Sequence, residues 1–130
     1  MSDFFTSNSM IMLERSAHFQ WTKQRAILDN ISNAETPNYK AKYVTFEEAL
    51  RSSIRQAAGN GMPAASMRAA ISASAPVVHT AVADSARRDE NGGNVSEQSI
   101  ELVRNAYQVQ HVYRAISSDM SRLLVAIRGQ

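Results

Sequence analysis

The chain has 130 residues, with 14 basic against 12 acidic side chains and no cysteine. That length suits one domain with a modest core, the net charge of +2 marks out neither nucleic acid nor an anionic membrane, and the missing thiols exclude disulfides, thiolate nucleophiles and cysteine-based zinc sites. With 44% hydrophobic residues a folded part is expected, whereas no apolar run reaches the length of a membrane span and Met1-Ser2-Asp3-Phe4-Phe5 lacks the features of a cleaved secretory signal.

In chain order, the first element is a helix. Met10, Leu13, Ala17, Gln20, Gln24, Ile27 and Ile31 recur at steps of three and four, which places them on one helical face. A second stripe, Leu13, Ala17, Trp21, Gln24, Leu28 and Ile31, keeps the period equally well, so the buried face is broad with a polar patch at its middle. The glutamines there are either ordinary amphipathic positions or a buried pair that fixes register. Ser7, Asn8 or Ser9 caps the start, and Asn33 followed by Thr36-Pro37 ends the helix.

A turn follows over residues 34–45. Pro37 sets φ for its second position, and Asn38 tolerates the left-handed conformation of the third. Tyr39, Tyr43, Val44 and Phe46 form an extended stretch, and a short helix runs from Phe46 to about Gln56. From Ala57 to Asn94 the character changes: 11 of the 30 residues from Ala57 to Ala86 are alanine, and large apolar side chains are few. Such a segment buries little surface against its ordering entropy, so it reads as flexible in the free chain, with Pro76 to Ala83 as an edge strand.

The last helix opens at Asn94-Val95-Ser96-Glu97, with Ser96 as the expected cap, and closes at Arg128 and Gly129. Within it Leu102, Ala106, Val109, Tyr113, Ile116, Met120, Leu123 and Ile127 are spaced by four and three without a break, a heptad seam. The flanking positions Val103, Asn105, Gln110, Val112, Ser117, Asp119, Leu124 and Ala126 carry a single charge, where two-stranded coiled coils usually carry several. A helix so wide in its neutral face is built for neighbours on more than one side. The expected organisation is therefore mainly α. Residues 1–56 hold the N-terminal helix, turn and short helix; residues 57–94 form an irregular, partly β or disordered middle; residues 95–130 hold the long C-terminal helix, which packs with the first as a coiled coil.

Sites for chemistry are missing from the sequence. His18, His79 and His111 lie in separate segments without metal-site spacing, and Gly92-Gly93 is not followed by the Lys and Ser/Thr of a phosphate loop. Glu47-Glu48 and Asp89-Glu90 are adjacent pairs, which on a helix do not converge. No catalytic residue, metal site or cofactor is expected, nor nucleic-acid binding, because the arginines form no stripe.

Leu28-Asp29-Asn30-Ile31-Ser32-Asn33-Ala34-Glu35-Thr36-Pro37-Asn38-Tyr39-Lys40-Ala41 resembles the signature of the flagellar rod and hook proteins. The matching positions are Leu28, Asn30, Ile31, Asn33, Ala34, Thr36, Pro37, Asn38 and Tyr39. Within that family the chain looks most like the small proximal rod members, in which a V-x-F-x-x-x-L segment follows, here Val44, Phe46 and Leu50. Asn91-Gly92-Gly93-Asn94-Val95-Ser96 is similar to the family's approach to the last helix. Glycine is commoner where Asn38 stands and an acid where Ser96 stands, and each substitute keeps the physics. The resemblance covers residues 10–50 and 91–129 and leaves the middle unsupported.

The resemblance implies an axial structural subunit of the basal-body rod, on the periplasmic side of the inner membrane, without direct insertion in it. It implies export by the flagellar type III apparatus, with Phe46 and Leu50 as an export element, and polymerisation through the terminal helices. Partners would be further copies, other rod proteins, and ring and adaptor proteins at the rod base. From the residues alone, a cytoplasmic coiled-coil adaptor or export chaperone is the alternative.

Overall fold

Two long helices frame the computed structural model, which describes residues 7–46, 48, 50–52, 55, 64–81 and 95–129. In chain order the elements are α1 (Asn8–Ser32), β1 (Lys42–Thr45), α2 (Ala64–Ala73), β2 (Val77–Thr80) and α3 (Val95–Arg128). Ser7 starts α1: its backbone is extended and its Oγ accepts the Met10 N–H at 3.2 Å. Asn33 stops it, donating from backbone N–H and side-chain Nδ2 to the Asp29 carbonyl at 3.0 and 2.8 Å.

α3 runs antiparallel to α1. Asn30 near the end of α1 meets Gln98 near the start of α3, and Gln20 meets Asn105 further along. Lys23 pairs with Glu101 across the two helices at 3.3 Å. At about 1.5 Å per residue, α1 is roughly 37 Å long and α3 roughly 51 Å, so α3 is the longer member of the pair. Of the two stripes on α1, the inner face holds Gln20, Ala26, Ile27 and Asn30, whereas Trp21 and Leu28 of the second stripe stand largely exposed.

The apolar core is small: Ala26, Ile27, Phe46, Ile71 and Leu123 are its buried members among the described residues. Phe46 stacks on Phe19 with ring centroids 5.2 Å apart. Its carbonyl accepts the Leu50 N–H at 2.9 Å, and residues 48, 50–52 and 55 are helical, in line with the short helix read from the sequence.

The middle holds more structure than its composition suggests. α2 forms over an alanine-rich decapeptide, where high helix propensity makes up for few large side chains. Ile71, 3% exposed, is the buried large apolar side chain of α2, and Arg68 Nε donates to Asn8 Oδ1 of α1 at 3.5 Å. β2 falls within the edge strand expected after Pro76 and pairs antiparallel with β1, Tyr43 opposite His79 and Val44 opposite Val78. Tyr43 and His79 stack at 5.0 Å, and Thr45 Oγ1 lies 2.7 Å from His79 Nε2. One detail differs at α3: the helix already includes Val95, so Ser96 sits inside its first turn and is not the cap. Residues 56–63 and 82–94, with most of the expected flexible segment, lie outside the described residues.

Candidate functional site

The signature segment folds into a joint between α1 and the sheet, and Asn30 is its centre. The side chain is 2% exposed. Its Oδ1 accepts the Lys42 backbone N–H at 2.7 Å and the Tyr39 hydroxyl at 3.2 Å. Its Nδ2 donates to the Lys42 carbonyl at 2.7 Å and to Gln98 Oε1 at 3.1 Å. An amide side chain has two acceptor sites and two donor hydrogens, so the set is complete. Toward Lys42, Asn30 behaves as a neighbouring strand would, pairing with both backbone groups on the edge that β2 leaves open.

The turn brings Tyr39 and Lys42 to that position. Thr36 N–H donates to the Asn33 carbonyl at 2.9 Å, and Tyr39 N–H closes the next turn on the Thr36 carbonyl at 3.2 Å. Pro37 takes its second position, and Asn38, with φ 62°, takes the left-handed third. Thr36 Oγ1 donates to Asn33 Oδ1 at 3.3 Å. Outside the joint, Lys42 Nζ reaches Asp29 Oδ2 at 3.0 Å, and this hydrogen-bonded carboxylate raises the pKa of the exposed ammonium above its ordinary value. Of the remaining signature residues, Ile31 and Ala34 are half-buried and Leu28 is exposed.

The eight seam residues of α3 do not share one environment. Leu102, Val109 and Ile116 are half-buried and Leu123 is buried, on the side that faces α1. Ala106, Tyr113, Met120 and Ile127 are all exposed. On the inner side the first set is joined by Gln98, Asn105, Val112 and Asp119, none of them exposed. Asn105 is fully buried, and its Nδ2 donates to Gln20 Oε1 at 2.8 Å and to the Gln20 carbonyl at 3.2 Å. Gln98 and Asn105 were not singled out as site residues from the sequence. The available signal was their heptad spacing on a flank whose one charge is Asp119.

On the open side, Trp21 Nε1 donates to the Tyr113 hydroxyl at 3.1 Å. Trp21 of the second α1 stripe thus adjoins Tyr113 in the exposed half of the α3 seam, and Tyr113 and Met120 are each nearly half exposed. Among the described residues no group of three potential metal ligands converges. Phe46 of the expected export element is buried against Phe19, and Leu50 is half-buried.

A curated relative, the flagellar basal body rod protein FlgB of Aeromonas hydrophila, is 30% identical over 112 residues, covering 83% of each chain. This chain belongs to the flagellar basal-body rod proteins. No family model matches it, and no solved structure matches it significantly. Among the described residues no helix is long and apolar enough to cross a membrane. The joint around Asn30 fastens the chain leaving α1 to both β1 and α3.

Proposed function

We propose that this rod protein is a proximal subunit, exported by the flagellar type III apparatus and polymerised through α1 and α3 on the periplasmic side of the inner membrane. The observation that carries the reading is the open apolar side of the helix pair, where Trp21 of α1 donates to Tyr113 of α3 and where Leu28 of α1 and Met120 and Ile127 of α3 are also exposed. A surface of this kind on a two-helix layer is suited to cover by further helices. Its neighbours are further copies and other rod proteins, with ring and adaptor proteins at the rod base.

Export fits the burial of Phe46. A Phe46–Leu50 element packed on Phe19 is readable only before the helices close over it, so recognition belongs to the unfolded chain. The test is location: purified basal bodies should contain the chain, and cells lacking it should not swim. Recovery only as a soluble cytoplasmic dimer, with normal basal bodies in its absence, would refute the reading in favour of an adaptor or chaperone.

A further inference from the structure

The helix α3 carries two stripes that share an edge. Leu102, Val109, Ile116 and Leu123 belong to both. Joined to Gln98, Asn105, Val112 and Asp119 they make the face turned to α1, and joined to Ala106, Tyr113, Met120 and Ile127 they make a face of the same spacing and greater apolar content. Apolar burial alone favours the second face. The helix nevertheless turns the first one inward, although a rotation of only about 50° about its axis separates the two.

Two amides oppose that rotation. Asn105 holds Gln20 through two hydrogen bonds at full burial, and one heptad earlier Gln98 holds Asn30. Gln98 lies in the opening turns of the helix and is half-buried, whereas Asn105 lies well inside it. Among the described residues Asn105 Oδ1 is buried without a hydrogen-bond partner, and a buried acceptor left so costs stability. Buried polar residues at seam positions are known to select register and partner at the expense of stability.

We infer that the Gln20–Asn105 layer is a specificity determinant that sets the rotation of α3 on α1, and so keeps Ala106, Tyr113, Met120 and Ile127 outside for neighbouring subunits. The second half of this statement rests on the reading of the chain as a polymerising rod subunit. The rotation itself does not.

The chain has no cysteine, so single introduced thiols report each face. Met120→Cys marks the outer stripe and Val112→Cys the inner one. In the purified full chain, Met120→Cys should react with a maleimide faster than Val112→Cys. In a Gln20→Leu/Asn105→Leu background the order should reverse, with Met120→Cys slowed and Val112→Cys accelerated, while helix content stays at or above that of the parent. Gln20→Met/Asn105→Val, an apolar layer of another shape, should give the same reversal.

General loosening would accelerate both thiols, and a purely structural role for the amides would leave both rates as they were. Either result in both backgrounds, or equal rates in the parent, overturns the inference. In cells, the Gln20→Leu/Asn105→Leu chain should fail to support swimming. Reversed labelling with normal swimming would refute the assembly role of the outer stripe and leave the rotation standing.

Discussion

Asn30 concentrates four hydrogen bonds in one buried side chain, so its replacement by an apolar residue of similar size strands several partners at once. Each buried group left without a partner costs about 1–3 kcal/mol, and Asn30→Leu should lose about 3 kcal/mol or more in urea denaturation followed by circular dichroism. Asn38 acts through its backbone instead. With φ at 62°, Asn38→Gly should be silent, whereas the β-branched Asn38→Val should destabilise by about 1–2 kcal/mol in the same assay. The Lys42–Asp29 pair is exposed and contributes little at neutral pH. Its sign is nonetheless defined. A lysine whose folded pKa is raised gives its full contribution below the ordinary lysine pKa and loses it as pH rises through the folded value. Asp29→Asn should return the Lys42 titration, followed by NMR, toward the ordinary value.

At the scale of elements, α2 is held by the buried Ile71 together with the Arg68–Asn8 hydrogen bond to α1. Ile71→Ala removes its one buried large side chain and should cost about 2–4 kcal/mol. Amide exchange should then lose protection over residues 64–73 while α1 and α3 keep theirs. Opposite behaviour, with all helices losing protection together, would mean that α2 is part of one cooperative unit. The two long helices were legible from periodicity, and the limits of α1 from Ser7 and Asn33, because caps and spacing are local properties. The turn was legible as well, since Pro37 and Asn38 leave few conformations open. α2 was not, because counting large apolar residues overlooks alanine's intrinsic helix propensity. Nor could the rotation of α3 be read. Both of its faces satisfy the heptad, and the choice between them lies in Gln20, a residue 85 positions away from Asn105. The partner of β2 was hidden for the same reason: pairing of Val44 with Val78 is a long-range event that no local pattern announces.

For the whole molecule the question is which surfaces build the subunit and which join subunits, and two substitutions of the same chemistry on neighbouring turns of α3 separate them. Ile116 is half-buried toward α1, and a carboxylate placed there without a partner costs several kcal/mol, so Ile116→Asp should unfold the helix pair, seen as lost helicity in the isolated chain. Met120 is 45% exposed on the open side, where a surface substitution changes stability by no more than about 0.5 kcal/mol. Met120→Asp should therefore leave the thermal melting of the isolated chain near that of the parent. In cells it should abolish swimming, because the same carboxylate would be buried unpaired when a neighbouring helix covers Met120. The comparison separates folding from assembly. Cells that swim normally on Met120→Asp, with the chain present in their basal bodies, would show that the open side meets solvent in the rod and that subunits join through some other surface.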